Sequence, residues 1–136
     1  MIYVDTNVII SYMDELDPNH SKAVKLLEAV NDKRVVSKLT LVELASVYSR
    51  AGLEAPLSLA IYSIESIGAR IGELDFDEVL LQASRLADAL KLRTLDLLHI
   101  VSCRLLGAER FATFDKDIVA KRELILRELG IRVETL

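Results

Sequence analysis

Four acidic side chains of this sequence stand in apolar surroundings, whereas most of its Asp and Glu residues fall on polar helix faces. They are Asp5, Glu43, Asp96 and Asp115. A carboxylate in apolar surroundings needs a partner, and several carboxylates that lie close together cannot all stay ionised unless cations neutralise them. Oxygen ligands of this kind suit Mg²⁺ or Mn²⁺. The chemistry that such a site would support is metal-assisted hydrolysis, for example of a phosphodiester.

The sequence predicts an α/β fold that brings these acids together. Short β-type runs alternate with helical runs, which is typical of a parallel sheet covered by helices. The predicted strands are 2–5, 34–37, 70–74, 110–113 and 131–134. The predicted helices are 6–13, 20–30, 40–50, 56–67, 75–90, 94–106 and 117–129. We therefore expect a three-layer α/β/α sandwich with a central, mostly parallel five-stranded sheet.

The four acids fall at one edge of this predicted sheet. Asp5 and Asp115 follow strands directly, and Glu43 and Asp96 lie in the first turns of helices. Ligands of open parallel sheets bind outside the carboxyl ends of the strands, where helix N-termini also gather. The pattern therefore predicts that the four carboxylates converge.

Each acid also has a structural explanation. Glu43 completes a Thr-x-x-Glu capping box with Thr40, and Asp96 complements the dipole of its helix. Asp115 can cap the next helix in a turn with Asp117. Asp5 is the hardest to explain in this way, because no Lys or Arg precedes Lys22 in the chain.

The composition indicates one globular domain spanning residues 1–136. Hydrophobic residues make up 51% of the 136 residues, which excludes intrinsic disorder. The single cysteine excludes an intramolecular disulfide and a cysteine-based zinc site. No run reaches the length of a membrane span and the N-terminus lacks a signal-peptide pattern, so we expect a cytoplasmic protein. The net charge of −4 opposes nucleic-acid binding but suits a cluster of metal-binding acids.

Four short motifs in this order resemble the PIN domain family, many of whose short members are VapC toxins of toxin–antitoxin pairs. They are Asp5-Thr6-Asn7 after a strand, Thr40-x-x-Glu43, Asp96-Leu-Leu-His99, and Thr113-x-Asp115-x-Asp117 after a late strand. Each motif is weak alone, but their combination and order are fairly specific. The resemblance extends from residue 2 to about residue 134.

The resemblance implies an endonuclease that depends on Mg²⁺ or Mn²⁺ and acts most often on RNA. It implies a catalytic and metal-binding acidic quartet of Asp5, Glu43, Asp96 and Asp115, with Asp117 as a further acid near the metal. It also implies that Thr6, Asn7 and Thr113 hydrogen-bond these carboxylates and fix their geometry. An inhibitory antitoxin and a homodimer are the partners that it implies.

Several other residues are candidates for contacts with RNA, with the acids or with a partner. Lys38, Arg93 and Lys116 are the basic residues nearest the acids in sequence, so they are candidates for contacting RNA, although ordinary surface positions are equally consistent. His99 is expected to pack beside Asp96 rather than to act as a base. The apolar stripe in 56–67 is broader than one core face requires, so it is either a partner surface or buried on two sides.

Two alternative functions remain open. Asp5 after a strand also fits the nucleophile of a haloacid-dehalogenase-like phosphatase or phosphotransferase, but those enzymes place a second acid where this chain has Asn7. A non-catalytic nucleic-acid-binding module that keeps the acids for metal-linked stability is the other alternative. A Rossmann dinucleotide site is disfavoured, because no Gly-x-Gly-x-x-Gly follows the first strand.

Overall fold

A parallel five-stranded sheet forms the centre of the computed structural model, which describes all residues 1–136. The strands are β1 (Ile2–Val4), β2 (Arg34–Val36), β3 (Ala69–Ile71), β4 (Arg110–Ala112) and β5 (Arg132–Glu134). Their order across the sheet is β3-β2-β1-β4-β5, and every neighbouring pair is parallel. The predicted α/β class and central sheet are confirmed. Since β1 lies in the middle, the residues after it stand between those that follow β2 and β4.

Eight helices cover the two faces of the sheet. They are α1 (Thr6–Met13), α2 (His20–Ala29), α3 (Lys38–Arg50), α4 (Pro56–Ser66), α5 (Phe76–Leu90), α6 (Thr94–Leu105), α7 (Lys116–Ala120) and α8 (Arg122–Leu129). None of them combines the length and the apolar character needed to cross a lipid bilayer.

The alternation of side chains along the strands creates two separate cores. Ile2 and Val4 belong to a cluster with buried residues of α1 to α4, whereas Tyr3 belongs to a second cluster with residues of α5 to α8. Successive strand residues point to opposite faces of a sheet, so each face carries its own helical layer. The three-layer α/β/α arrangement is therefore confirmed.

Two helices differ from the sequence prediction by more than one residue. The helix predicted from residue 40 begins at Lys38, because the Ser37 hydroxyl caps it by accepting a hydrogen bond from the amide of Leu39 at 3.2 Å. Thr40 is instead buried inside the helix, so the predicted capping box with Glu43 is wrong. The helix predicted over 117–129 is two helices. The break lies at Lys121, whose amide donates a hydrogen bond to the carbonyl of Ile118, three residues earlier, instead of four. The ammonium group of Lys121 donates to carbonyls at the end of α5.

The apolar stripe of α4 is divided between the core and the surface. Ala60 and Ile64 are buried in the first core, whereas Leu57, Ile61 and Tyr62 are 54%, 40% and 60% exposed. Since the outer half of the stripe is not covered by this chain, the interpretation that the helix is buried on two sides is wrong.

Candidate active site

The carboxyl edge of the sheet holds the four acids. Asp5 follows β1 and caps α1, and Asp115 lies just beyond β4 and caps α7. Glu43 lies on α3, which follows β2, and Asp96 lies in the first turn of α6. The central position of β1 brings the chain segments that carry these residues to one side of the molecule.

Asp5 is held in a buried network of donors. It is only 5% exposed. Its Oδ1 accepts a hydrogen bond from the Thr6 amide at 2.9 Å, and its Oδ2 accepts one from the Thr113 hydroxyl at 2.7 Å. Burial raises the pKa of Asp5 above its usual value, while His99 and the Thr113 hydrogen bond oppose this rise. The site therefore orients this carboxylate but leaves its charge incompletely compensated.

Asn7 ties the residues after β1 to those after β4. Its Nδ2 lies 3.3 Å from both Oδ2 of Asp5 and Oγ1 of Thr113, and its Oδ1 accepts from the amide of Phe114 at 3.1 Å. The Thr113 hydroxyl in turn accepts from the amide of Asp115 at 2.9 Å. The structure thus brings Asn7 and Thr113 against the Asp5 carboxylate.

Glu43 enters the site from α3 and contacts His99. Its Oε1 lies 2.9 Å from Nε2 of His99, which is buried on α6 and only 1% exposed. Burial raises the pKa of Glu43, but the hydrogen bond with His99 and the nearby Thr6 hydroxyl outweigh it, so the pKa lies below its usual value. Glu43 is therefore ionised at neutral pH.

A group of possible metal ligands combines two of the predicted acids with His99. The carboxylate oxygens of Asp5 and Glu43 and a ring nitrogen of His99 all lie within 4.8 Å of one another. Carboxylate oxygens suit Mg²⁺ and Mn²⁺. The Thr6 hydroxyl is buried beside this group and makes no hydrogen bond of good geometry, although a buried polar atom normally has a partner. The residues present therefore fit a hydrated divalent cation.

Asp96 lies near this group and is affected by its charge. Burial, together with the charges of Asp115 and Asp5, raises the pKa of Asp96 to about 6. The part of this shift that comes from the neighbouring carboxylates is a charge repulsion that a bound cation would relieve. The expected convergence of Asp5, Asp96 and Asp115 agrees with these interactions, but the assignment of individual metal ligands stays a prediction.

The remaining predicted residues lie at the rim. Arg93 donates from Nη2 to Oδ2 of Asp117 at 3.1 Å, and this exposed pair leaves Asp117 outside the group of possible ligands. The Lys38 ammonium lies 4.0 Å from a Glu73 carboxylate oxygen. Lys116 lines a neighbouring cavity of about 430 Å³ between α7 and the C-terminus. The RNA-contact role of Lys38, Arg93 and Lys116 stays a prediction.

Sequence reasoning missed the polar contacts beneath Glu43. Tyr3 is fully buried, and its hydroxyl lies 2.8 Å from Oγ of Ser37 and 2.7 Å from Nδ1 of His99. His99 is buried beside the acids, as its position in the sequence predicts, but no sequence pattern indicates its contact with Glu43. One signal was available: Tyr3 is the only residue with a polar side-chain atom in the apolar run Ile2–Val4.

A parallel α/β/α fold with acids at the carboxyl edge of its sheet defines a class of protein, and a comparison with family models identifies that class. Residues 2–124 match the model described as PIN domain. The chain belongs to the PIN domain family, as its motifs predicted. A comparison with curated protein sequences finds no match.

Solved structures of VapC toxins share the fold. The structure of VapC20 from Mycobacterium tuberculosis, a toxin that cleaves the sarcin–ricin loop, has a TM-score of 0.71 and 21% sequence identity, covering 88% of this chain and 94% of that chain. A toxin–antitoxin complex from Klebsiella pneumoniae has a TM-score of 0.65 and 20% identity over 87% of this chain and 90% of that chain. VapBC2 from Rickettsia felis, bound to a DNA fragment from its promoter, has a TM-score of 0.62 and 18% identity over 98% of both chains.

Proposed function

We propose that this protein is an endoribonuclease that depends on Mg²⁺ or Mn²⁺ and is the toxin of a VapBC-type pair. The observation that carries the proposal is that carboxylate oxygens of Asp5 and Glu43 lie within 4.8 Å of each other, beside the buried His99, at the carboxyl edge of a PIN domain. When bound, a divalent ion supplies an activated water and stabilises the charge that develops on the leaving oxygen of a phosphodiester.

The side chains of this protein would hold and orient the ion. Asp5 and Glu43 are the acids in the group of possible ligands, and Asp96 and Asp115 complete the acidic site. Thr113 and Asn7 keep the Asp5 carboxylate in one orientation through their hydrogen bonds. Such fixed hydrogen bonds to ligands typically account for about 10-fold to 100-fold of metal affinity or activity.

We propose an antitoxin protein and a second copy of this chain as partners. Two of the similar structures are toxin–antitoxin assemblies, which supports an antitoxin as the partner of this chain. The exposed apolar residues Leu57, Ile61 and Tyr62 of α4 are the surface that we assign to the dimer. An exposed apolar patch of this kind is typical of a protein interface.

An RNA cleavage assay tests the proposed activity. Total bacterial RNA and a synthetic sarcin–ricin loop hairpin are incubated with the wild type in Mn²⁺ or Mg²⁺, with EDTA, and with Mn²⁺ restored after EDTA. We expect cleavage that EDTA abolishes and Mn²⁺ restores. Asp96→Asn should lose cleavage, whereas Asp77→Asn, which changes an exposed acid in the first turn of α5, should retain it.

Two results would contradict the proposal. A folded wild type that binds Mn²⁺ but cuts neither RNA nor DNA would favour the non-catalytic module. A beryllium fluoride adduct on Asp5 would favour the phosphatase or phosphotransferase, in which Asp5 is the nucleophile.

A further inference from the structure

A continuous line of buried hydrogen bonds connects the second core of the sheet to the acidic site. The hydroxyl of Tyr3 lies 2.8 Å from Oγ of Ser37 and 2.7 Å from Nδ1 of His99. Nε2 of His99 then lies 2.9 Å from Oε1 of Glu43. Tyr3 and Ser37 are fully buried and His99 is 1% exposed, whereas the side chain of Glu43 is 26% exposed. The line therefore runs from the protein interior to the edge of the site.

Packing keeps the two rings in place. The Tyr3 ring stacks on Phe111 with a centroid distance of 5.4 Å and an interplanar angle of 7°. It meets the His99 ring edge-on, at 5.7 Å and 61°. Buried aromatic rings in such contacts are held by close packing on all sides. The position of Nε2 of His99 is consequently fixed by β1 and β4 as well as by its own helix.

The hydrogen bonds of this line can form in both the neutral and the charged state of His99. An ionised Glu43 only accepts hydrogen bonds, so Nε2 of His99 carries the proton in their contact. The other ring nitrogen accepts from the Tyr3 hydroxyl when the ring is neutral and donates to it when the ring is charged, and a hydroxyl serves both roles. Tyr3 therefore keeps the His99 ring in the orientation that donates to Glu43, whatever the charge of the ring.

We propose that Tyr3 and His99 are positioning residues, which hold the Glu43 carboxylate toward Asp5 so that the site binds a divalent cation. Glu43 needs such a restraint, because its long side chain has several rotatable bonds and would otherwise lose conformational entropy on binding an ion. Tyr3 lies in β1 and Asp5 directly follows this strand, so β1 positions Asp5 directly and Glu43 through Tyr3 and His99. This inference rests on the metal-dependent site of the proposed function.

Two matched tyrosine variants test the role of Tyr3. Tyr3→Phe removes the hydroxyl that contacts His99. Tyr48→Phe removes another buried hydroxyl, which lies 2.7 Å from Oγ of Ser63 between α3 and α4. Calorimetric titration of the chelator-treated proteins with MnCl₂ should show about 10-fold weaker binding for Tyr3→Phe. Tyr48→Phe should bind Mn²⁺ like the wild type, although thermal denaturation should show a comparable loss of stability for both variants.

A pair of His99 variants provides a second test that does not depend on the folding of Tyr3→Phe. His99→Gln keeps an N–H donor in this position and should retain more Mn²⁺ affinity than His99→Leu.

Pulsed electron paramagnetic resonance of wild type with Mn²⁺ should show no nitrogen coupling of the size that a bound imidazole gives, because Nε2 of His99 donates to Glu43.

The outcomes separate this inference from the proposed function. If Tyr3→Phe binds Mn²⁺ as tightly as the wild type, or if the two His99 variants bind it equally, the positioning role is wrong. Neither result would contradict the proposed ribonuclease activity. A strong nitrogen coupling would make His99 a direct ligand and would also overturn the positioning role. A wild type that takes up no Mn²⁺ would overturn both.

Discussion

The hydroxyl of Thr113 donates a hydrogen bond to Oδ2 of Asp5 across 2.7 Å, which joins the ends of the neighbouring strands β4 and β1. Both residues are buried, at 0% and 5% exposure. Two residues 108 positions apart in sequence therefore share one buried polar contact at the carboxyl edge of the sheet. The contact orients the carboxylate that lies deepest in the candidate active site.

Removing this hydroxyl should destabilise the protein. Thr113→Val keeps the shape of the side chain but leaves the amide of Asp115 without its partner and removes the shorter of the two hydrogen bonds to Oδ2 of Asp5. An unpaired buried polar group costs about 1–3 kcal/mol, so we expect a loss of unfolding free energy of about that size. Urea denaturation measures it, and Mn²⁺ affinity should fall in parallel. Thr113→Ser retains the hydroxyl and should recover most of both, whereas equal losses in the two variants would contradict the role of the bond.

The charge of Asp96 should make the metal-free protein less stable as the pH rises. Burial and the nearby acids raise the pKa of Asp96 to about 6, compared with 3.8 in the unfolded chain. The folded state then holds this proton more tightly, so the stability from Asp96 is complete below pH 4 and is lost as the pH rises through about 6. Asp96→Asn should therefore be more stable than the wild type at pH 7 in EDTA. We expect a difference of about 1 kcal/mol, which is less than the full pKa shift implies, because solvent screens a half-exposed group.

The two proteins should converge at pH 4, where Asp96 is largely protonated. Chemical denaturation at pH 4, 5, 6 and 7 measures the difference, and a difference independent of pH would contradict the assignment. Excess Mn²⁺ should reverse the order at pH 7. A ligand at 100 times its Kd stabilises the folded state by about 2.7 kcal/mol, and Asp96→Asn should lose much of that gain.

Arg93 should contribute to RNA affinity rather than to stability. Its guanidinium pairs with Asp117 at the rim of the site, and both side chains are largely exposed. Exposed pairs contribute about 0–1 kcal/mol to stability, whereas a phosphate contact weakens as salt increases. Arg93→Gln should raise the KM for RNA several-fold with a smaller effect on kcat, and should reduce the salt dependence of KM. Arg127→Gln on α8, where the arginine is also exposed, is the control; equal effects of the two variants would exclude a specific contact for Arg93.

The outer face of α4 should control assembly. Ile61 is 40% exposed between the more exposed Leu57 and Tyr62, although all three are large apolar or aromatic residues. Ile61→Asp places a charge in the surface assigned to the dimer, so the mass measured by light scattering should fall toward that of one chain while circular dichroism stays unchanged. A dimer that persists in the variant would remove this face from the interface.

The sequence by itself determined the five strands, six of the eight helices and the edge of the sheet at which the acids lie. Alternating β-type and helical runs fixed five strands, because hydrophobic periodicity is a local property of the chain. The positions of Asp5 and Asp115 after strands placed them at the carboxyl edge. Helix ends were less certain, since Ser37 and Thr40 are both good caps and only the local backbone geometry selects between them.

Only the tertiary structure decided which atoms meet at that edge. The contact between His99 and Glu43 joins residues 56 positions apart, and that between Tyr3 and His99 joins residues 96 positions apart. Such contacts depend on the order of strands across the sheet and on how α3 and α6 pack, which no local pattern records. The pairing of Arg93 with Asp117 has the same origin: long side chains at a surface find partners according to the distances that the fold creates.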